Sequence, residues 1–341
     1  MTTSIRRLPA EWEAHASTIV AWPGRLSVWG QHLDAGREET RKLVEAIADF
    51  EPVIVAAGPA QERLVRSELG NRASVSVIPT ALDDCWARDI SPLFAVEDDR
   101  IMVAVDFRFN AWGEKFQPHD ADDAFGLEIT NHLGFNRVGL DLVLEGGSVS
   151  TDGLGTALVV EGTVLNSNRN PSSTRQSVEA ILRSELGIDC VIWLPYGLLG
   201  DTDTDGHTDN VAVFCAVGRV LVQVSARRHD PDRDRLDANL AILKAARDAR
   251  GRQLEIVEVP WLPTSRLDNS RPCSYVNSYP INGAVIVPTV GHSSQDEAMS
   301  VVSSAFDGIA PVAVESNTLS FGGGGPHCMT MQVPRPQRPN H

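Results

Sequence analysis

A cysteine near the end of the chain is a candidate nucleophile. The segment GGGGPHCMTMQVP, residues 322–334, places four glycines before Pro326, His327 and Cys328. Because MTMQV alternates apolar and polar residues, it predicts a strand, and the glycines then form a loop that leads into it. A cysteine thiolate is a strong nucleophile. We therefore predict that the glycine run is a hinge-permissive loop that lets the Cys328 thiol approach a substrate.

A histidine and an aspartate two residues apart could bring proton transfer and negative charge to one site. They are His207 and Asp209 in DTDTDGHTDN. If HTDNVAVF opens a strand, both side chains point to the same face. A capping or turn role for the pair is the structural alternative. His327 is not expected to be the catalytic imidazole, because adjacent residues of an extended chain point in opposite directions.

The same acidic stretch also matches the beginning of a calcium-binding loop. Asp201, Asp203, Asp205 and Gly206 follow the EF-hand pattern, which requires a bidentate glutamate at its twelfth position. Here that position is Ala212, and an apolar strand follows instead of a helix. A calcium-dependent binding module stays open as a hypothesis of a different class, which calcium titration would test.

Two further segments place acids beside aromatic or glycine residues. DDCWARDISPLF sets Trp86, Arg88 and Asp89 before a predicted strand, and carboxylates with an indole face suit a cation. LEGGSVS sets Glu145 before two glycines that allow a close approach. The structural alternatives are a turn in which Arg88 pairs with an acid, and a plain turn acid at Glu145.

Together, one thiol, one imidazole and three carboxylates from separate segments could modify a guanidinium group. Two carboxylates match the planar, bidentate donor geometry of a guanidinium. A thiolate can attack its central carbon while a histidine protonates the departing ammonia. Carboxylates can stabilise the cationic tetrahedral adduct, so no oxyanion hole is required. The expected ligand is a small cationic guanidino compound, and neither a metal nor a cofactor is expected.

The elements that must position these residues alternate between helix and strand, which predicts an α/β protein. Capped or amphipathic patterns predict helices over residues 34–50, 173–187 and 232–251. Runs rich in β-branched residues predict strands, among them PVIVAA, RIMVAVDF, TALVV, RVLVQV and GAVIVP.

A weak internal repeat places the candidate residues at equivalent positions. Four segments each hold a polar residue, an apolar strand, a turn and a second apolar strand, and a fifth copy could end after its first strand: residues 88–107, 144–160, 207–224, 274–288 and 322–334. Their polar residues are Asp89, Glu145, Asp209, Asn277 and Cys328, roughly sixty residues apart. Similar modules around an axis would bring these side chains to one central site.

The alternative to the repeat is a set of unrelated hairpins with polar turns, which any α/β protein can show. No low-complexity linker interrupts residues 1–321. We therefore expect a single domain over residues 1–341, built of about five ββαβ-type modules.

Composition argues against several functional classes. Acidic residues outnumber basic ones by 45 to 30, a formal net charge of −15, which disfavours nucleic-acid binding and mildly favours cationic ligands. No apolar run is long enough to span a bilayer and the N-terminus lacks the apolar core of a signal peptide, so we expect a cytoplasmic protein without a membrane partner. The five cysteines are odd in number and widely spaced, which disfavours disulfides and zinc sites.

At these residues the sequence resembles the agmatine deiminase family of guanidino-modifying enzymes. The resemblance runs through most of the chain in eight motifs: LPAEWEAHASTIVAWP, DDCWARDISPLF, FNAWGEKF, LEGGSVSTDGLGTALVV, LNSNRNP, TDGHTDN, SYVNSYPINGAVIVP and GGGGPHC. It implies a five-bladed α/β propeller (the pentein fold) with pseudo-fivefold symmetry. It also implies hydrolysis of agmatine to N-carbamoylputrescine and ammonia through a covalent amidino-thioether.

The resemblance assigns a role to each candidate residue. Cys328 matches the nucleophile, His207 the acid/base, and Glu145 the carboxylate that orients and charges that histidine. Asp89 and Asp209 match the pair that grips the guanidinium nitrogens. Trp86 matches the aromatic residue beside the site, and Trp112 in AWGEK is a further candidate for lining it.

The chain departs from the family pattern at positions that carry no reacting group. They are Ile90 and Ser91, Pro326, and Ser278 and Pro280. The alternatives that stay open are a deiminase or amidinotransferase for free arginine, peptidyl arginine or a modified guanidine, and a catalytically inactive guanidine-binding protein. A homo-oligomer is compatible with the sequence.

Overall fold

Short strands, most of them buried, form the frame of the molecule. The computed structural model describes residues 6–70, 72–98, 101–225 and 229–335. Within them the strands are β1 Arg6–Arg7, β2 His15–Ala21, β3 Val53–Ala57, β4 Val75–Pro79, β5 Leu93–Glu97, β6 Ile101–Arg108, β7 Asn136–Val143, β8 Val149–Thr151, β9 Thr156–Val160, β10 Cys190–Leu194, β11 Ala212–Ala216, β12 Arg219–Gln223, β13 Glu255–Val259, β14 Tyr279–Ile281, β15 Ala284–Thr289, β16 Ala310–Glu315 and β17 Thr330–Pro334.

Helices connect these strands and cover them. The α-helices are α1 Leu26–Trp29, α2 Leu33–Ala48, α3 Glu62–Leu69, α4 Ala87–Ile90, α5 Ala111–Glu114, α6 Asp120–Leu133, α7 Glu161–Val164, α8 Arg175–Leu186, α9 Arg233–Ala245, α10 Gln295–Ala305 and α11 Asn317–Gly322. Three short 3₁₀ turns cover Gly30–His32, Gly146–Ser148 and Thr208–Asn210. In the described ranges no helix is long and apolar enough to cross a membrane.

The strands of the described chain form five separate sheets that share one plan. Their strand orders are β1-β5-β6-β7, β10-β9-β8, β11-β12-β13, β14-β15-β16 and β17-β2-β3-β4. Each sheet contains an antiparallel pair, and the second strand of that pair is joined in parallel to the next strand. Parallel neighbours need a crossover connection, and α6, α8, α9, α10 and α2 provide it.

The repeat seen in the sequence therefore corresponds to real hairpins, with one addition. β17 is not left unpaired in the last module. It pairs antiparallel with β2 from the beginning of the chain, with Thr330 opposite Val20. The missing second strand of the fifth copy is thus supplied by the N-terminal segment. Segments from near the two ends of the described chain thus meet in this sheet, whereas β1 pairs with β5 in another.

The predicted helices form, with shifted ends. α2 and α8 agree with the sequence patterns, and a capping box at Thr174 and a left-handed Gly187 begin and end α8. α9 ends at Ala245, well before residue 251, since Arg247 forms a β-bridge with Gln253. α3, α6 and α10 were not predicted.

Aliphatic packing between strands and helices holds the modules together. Val55 of β3 and Leu43 and Ile47 of α2 have no exposed surface. Fully burying such a side chain contributes about 1.5–3 kcal/mol. The loops that precede the hairpins are therefore mounted on a rigid, close-packed frame.

Candidate active site

The polar residues that begin the five sequence copies lie together in the structure. Each precedes the first strand of an antiparallel pair: Asp89 precedes β5, Glu145 β8, Asp209 β11, Asn277 β14 and Cys328 β17. All of them are at most 5% exposed. Contacts of 3.1 to 3.9 Å, two of them through His207, connect these side chains.

His207 and Asp209 reach one site by a turn rather than a strand. Residues Thr208–Asn210 form a 3₁₀ turn and β11 begins at Ala212, so the strand considered from residue 207 does not begin there. Both side chains nevertheless face Gly147. A Cβ at Gly147 would lie 2.5 Å from His207 Nδ1 and 3.1 Å from Asp209 Oδ2. Only glycine leaves room for both groups here.

The Cys328 thiol is buried among polar groups. Its Sγ lies 3.3 Å from Asp209 Oδ2, which accepts the S–H hydrogen bond, and 3.1 Å from Asn277 Nδ2, which donates to it. Burial raises the pKa of the Cys328 thiol well above its usual value, and the charges of Asp209 and Asp89 raise it further. The raised pKa therefore favours the protonated thiol.

His207 lies between two carboxylates. Its Nδ1 is 3.8 Å from Asp89 Oδ1, and its Nε2 is 3.9 Å from Glu145 Oε2. Burial alone would lower the pKa of His207, but the charges of Asp89, Asp209 and Glu145 raise it overall. In the described chain neither Nε2 nor Glu145 Oε2 has a hydrogen-bond partner. The raised pKa favours the protonated imidazole, whose Nε2–H has no acceptor among the described residues.

Glu145 is held by an arginine for which the sequence indicated no role. Arg169 Nε donates to Glu145 Oε1 at 2.7 Å, and Arg169 Nη1 also pairs with Asp205. The Glu145 and Arg169 side chains are completely buried. The Arg169 guanidinium binds Oε1 of Glu145, so that Oε2 of the same carboxylate is left directed toward His207.

Asp89 is oriented by two N–H donors. The Gly147 main-chain N–H donates to Oδ1 and the Trp112 indole N–H to Oδ2, each at 3.0 Å. Burial raises the pKa of Asp89 to about 6; His207 opposes this rise, while Asp209 and Glu145 add to it. Trp112, expected only to line the site, thus also fixes the carboxylate.

Trp112 lies in α5, a single turn whose backbone angles are left-handed rather than those of a regular α-helix. Ala111, Trp112, Gly113 and Glu114 all have positive φ angles, between 51° and 91°. Left-handed backbone is unfavourable for residues other than glycine. Asn110 stabilises the turn by accepting the Gly113 N–H through its side chain at 2.9 Å.

His327 also reaches the site, contrary to the expectation from the sequence. Its Nδ1 lies 2.8 Å from Asp209 Oδ2 and its Nε2 lies 2.8 Å from Glu11 Oε2. The reasoning from an extended chain was wrong because Pro326–Met329 form a turn. Arg88 Nη1 donates to Glu11 Oε1 at 3.1 Å, so the structural alternative for Arg88, pairing with an acid, is correct.

The glycine run is packed closely around the cysteine. A Cβ at Gly324 would lie 2.4 Å from Trp86 Cζ3 and 2.9 Å from Cys328 Cβ. A Cβ at Gly325 would lie 2.6 Å from Asn277 Oδ1. These glycines are needed for close approach, and the hinge predicted for them stays untested.

A narrow cavity with a volume of about 20 Å³ reaches the thiol. Trp86 forms one wall and is itself stacked on Trp29, with ring centroids 5.9 Å apart. The lining residues are Val28, Asp84, Trp86, Asp89, Trp112, Phe116, Asp203, Thr204, Gly322, Gly323 and Cys328. The charged residues of this lining are all acidic, which suits a cation with an apolar body.

The acids that resembled a calcium loop have other partners. Asp201 accepts the His207 main-chain N–H, Asp203 pairs with Arg271, and Asp205 pairs with Arg169. Among the residues that the structure describes, no group of three or more His, Cys, Asp or Glu side chains could hold a metal ion. The calcium hypothesis therefore lacks a ligand set there.

Sequence reasoning missed four residues that touch or support the reactive groups: Glu11, Arg169, Asn277 and His327. Asn277 was noticed only as a member of the repeat. Glu11 and Arg169 lie within quoted motifs, LPAEWEAH and LNSNRNP, but nothing in either motif indicated a role. Their importance follows from contacts across 316 and 24 residues of chain, which spacing does not reveal.

Comparison with known proteins places the chain among guanidino-modifying enzymes. The model of the Porphyromonas-type peptidyl-arginine deiminase family matches residues 7–334. The agmatine deiminase of Stutzerimonas stutzeri is 35% identical, over 96% of this chain and 95% of the relative, and that of Ectopseudomonas mendocina is 34% identical, over 97% and 96%. The solved agmatine deiminase of Enterococcus faecalis superposes with a TM-score of 0.92 at 29% identity, covering 97% of this chain and 96% of that one.

Proposed function

Because the chain belongs to the family of the Porphyromonas-type peptidyl-arginine deiminases and the agmatine deiminases, we propose that it hydrolyses agmatine to N-carbamoylputrescine and ammonia. The observation that carries the proposal is the buried constellation of one thiol, one imidazole and acidic groups at the end of an acid-lined cavity. The carboxylates of Asp89 and Asp209 bind the guanidinium as a planar cation.

In the first half of the reaction, Cys328 is the nucleophile. The bound cation offsets the charges of Asp89 and Asp209 that oppose ionisation of the thiol. The Cys328 sulfur forms a bond to the guanidinium carbon, and a carbon–nitrogen bond breaks to release ammonia. His207 donates the proton that the leaving nitrogen needs, and Glu145 keeps the imidazole charged and oriented. The proton count balances, because the thiol and His207 each lose one proton and the departing nitrogen takes up both, leaving as ammonium.

In the second half, water replaces the enzyme sulfur. His207, now neutral, accepts a proton from the attacking water. The carbon–sulfur bond of the amidino-thioether breaks, which returns the thiol and leaves a ureido product. Asp89 and Asp209 stabilise the cationic adducts in both halves.

The charge of the cavity favours agmatine over arginine. Asp84 and Asp203 line it together with Asp89, and no Lys or Arg belongs to its lining within the described chain. Asp84 Oδ2 is buried without a hydrogen-bond partner from the described residues. Arg271 pairs with Asp203, and Arg25 lies 3.9 Å from Asp84, so both acids are partly neutralised from outside the lining. The negative charge that remains attracts a distal ammonium and repels the carboxylate of arginine.

The sheet topology supports a finer description of the fold. Five sheets repeat one plan, and the polar residues before their hairpins meet at one site. We propose a five-bladed α/β propeller of the pentein type with pseudo-fivefold symmetry, in which residues 1–341 form a single domain of about five ββαβ-type modules.

A substrate panel tests the function directly. Purified protein is incubated with agmatine, free arginine, blocked arginine and a methylated guanidine, and ammonia and ureido product are measured. Agmatine should give the highest kcat/KM. Faster turnover of arginine or of peptidyl arginine would overturn the assignment of agmatine, and transfer of the amidino group to an added amine in place of hydrolysis would identify an amidinotransferase.

We expect an acid limb in the pH profile. As the pH falls below about 6, Asp89 gains a proton and loses the charge that binds the guanidinium. The value of kcat/KM, which reports groups of the free enzyme, should therefore fall about tenfold per pH unit below that point. Steady-state ammonia release between pH 4.5 and 8 measures it, and a flat profile down to pH 5 would contradict the role of Asp89.

Removing the indole N–H of Trp112 should weaken the binding of the substrate guanidinium by Asp89. In Trp112→Phe the ring remains but the 3.0 Å bond to Asp89 Oδ2 is lost. A hydrogen bond to a charged group contributes about 1.5–3 kcal/mol, so kcat/KM should fall about 10- to 100-fold. Trp193→Phe is the matched control, because it removes a 2.8 Å indole bond to Glu179, which is not a site residue. Equal kinetics of the two variants would contradict this role.

A further inference from the structure

Asn277 contacts the sulfur that is proposed to react. Its Nδ2 donates to Cys328 Sγ at 3.1 Å, and the residue is 2% exposed. The second amide hydrogen faces Asn210 Oδ1 at 3.4 Å and the Asp209 carbonyl oxygen at 3.5 Å. The main chain is fixed as well, since the Asn277 N–H donates to the Ser274 carbonyl at 3.0 Å. The two acceptors orient the amide with Nδ2 toward the sulfur, while Asn277 Oδ1 has no hydrogen-bond partner among the described residues.

The surroundings of the sulfur make such a donor important. Burial and the charges of Asp209 and Asp89 all oppose a thiolate, whereas the amide groups of Gly325 and Asn277 favour it. Both favourable groups are neutral. A neutral donor can stabilise a developing negative charge without competing with a cationic substrate for the carboxylates.

We infer that Asn277 is a further catalytic residue, whose side-chain N–H stabilises the Cys328 thiolate as it forms and again as it leaves the amidino-thioether. The inference rests on the proposed function, which makes Cys328 the nucleophile. Asn277 gains and loses no proton in this role: it donates a hydrogen bond to sulfur whenever sulfur carries negative charge.

The glycine before Pro326 is part of the same arrangement. A Cβ at Gly325 would lie 2.6 Å from Asn277 Oδ1, closer than nonbonded atoms tolerate. Alanine at this position should displace the Asn277 amide without changing its chemistry. Gly325→Ala is therefore a second way of displacing the donor, and because the Gly325 main chain also contacts Cys328, it tests both amide groups together.

The test measures reactivity of the thiol separately from turnover. The Cys328 peptide is followed by mass spectrometry during alkylation with iodoacetamide at several pH values, without substrate. Loss of one hydrogen bond, about one pKa unit, should slow alkylation of Cys328 about tenfold at pH 8 in Asn277→Ala. Asn277→Asp should slow it more, because it adds a negative charge. In Asn277→Ala, kcat for agmatine should fall about tenfold while KM stays within about twofold.

Asn239→Ala is the matched control for loss of a buried amide. Asn239 has no exposed surface and donates to the Tyr196 carbonyl from α9. It should keep the parent alkylation rate of Cys328. If thermal unfolding shows that Asn277→Ala is unstable, the same measurements on Gly325→Ala test the role of Asn277.

The possible failures are distinguishable. Unchanged thiol reactivity and kcat in folded Asn277→Ala, or in folded Gly325→Ala when the first variant is unstable, would overturn the role of Asn277 even in an active agmatine deiminase. Slower alkylation in a protein that does not turn over agmatine would support the contact with the thiolate while contradicting the proposed function.

Discussion

Cys328→Ala is expected to abolish ammonia release from agmatine, lowering kcat by at least about 10⁴-fold. The reason is that no other described cysteine lies in the site. Cys85, Cys215 and Cys273 are buried and Cys190 is half-buried; all are free thiols and none lines the cavity, although Cys85 lies between the lining residues Asp84 and Trp86. The small side chain of alanine leaves the close contact with Gly324 intact. Ammonia release, with circular dichroism and thermal unfolding to show that the fold persists, measures the effect.

Cys273→Ala is the control for this variant. Cys273 is 3% exposed, against 5% for Cys328, but does not line the cavity. It should retain nearly full activity with a modest loss of stability. Mass spectrometry of the parent enzyme during turnover should find the covalent adduct on the Cys328 peptide alone. Undiminished turnover by Cys328→Ala would end the assignment of the nucleophile.

His207→Gln is expected to lower kcat by about 10²- to 10⁴-fold, the usual contribution of a general acid–base group. Glutamine keeps a polar side chain between Asp89 and Glu145 but cannot transfer a proton. The raised pKa of His207 favours the charged imidazole, so its loss also removes positive charge from among these carboxylates. Both halves of the reaction should slow, so that no amidino-thioether accumulates. Single-turnover ammonia release and adduct mass spectrometry measure the two steps.

His15→Gln separates this chemical role from the loss of a buried ionic contact. His15 is 1% exposed, as is His207, and does not line the cavity; its Nδ1 lies 2.9 Å from Glu51 Oε1 and its Nε2 lies 2.7 Å from the main-chain oxygen of Glu11. It should affect stability but leave kcat within about twofold. Equal losses of kcat in the two variants would contradict acid–base catalysis by His207.

Much of the candidate site could be predicted from residue types and their positions in the repeat. Asp89, Glu145, Asp209 and Cys328 each stand before a short apolar strand, and a strand begins within a few residues of each. This works because local patterns of β-branched residues and turns specify hairpins, and repeated hairpins present equivalent residues at equivalent places. The chemistry then follows from the residue types alone.

Contacts between modules could not be predicted in the same way. His327 was set aside because its neighbour Cys328 was expected to point elsewhere, yet both side chains reach Asp209 Oδ2. The decisive feature is a turn, which the sequence GGGGPHC permits but does not specify. Trp112 likewise contacts Asp89 only because its turn adopts left-handed backbone angles.

The sequence by itself determined which groups could react, the α/β class and the hairpins that carry the reactive residues. Only the tertiary structure decided which atoms meet: Asn277 at the sulfur, Arg169 on Glu145, and Glu11 behind His327. The physical reason is that hairpins are encoded by neighbouring residues, whereas these contacts depend on packing between segments far apart in the chain. Burial then shifts the pKa values of the groups brought together, so the electrostatics of the site are a property of the folded molecule.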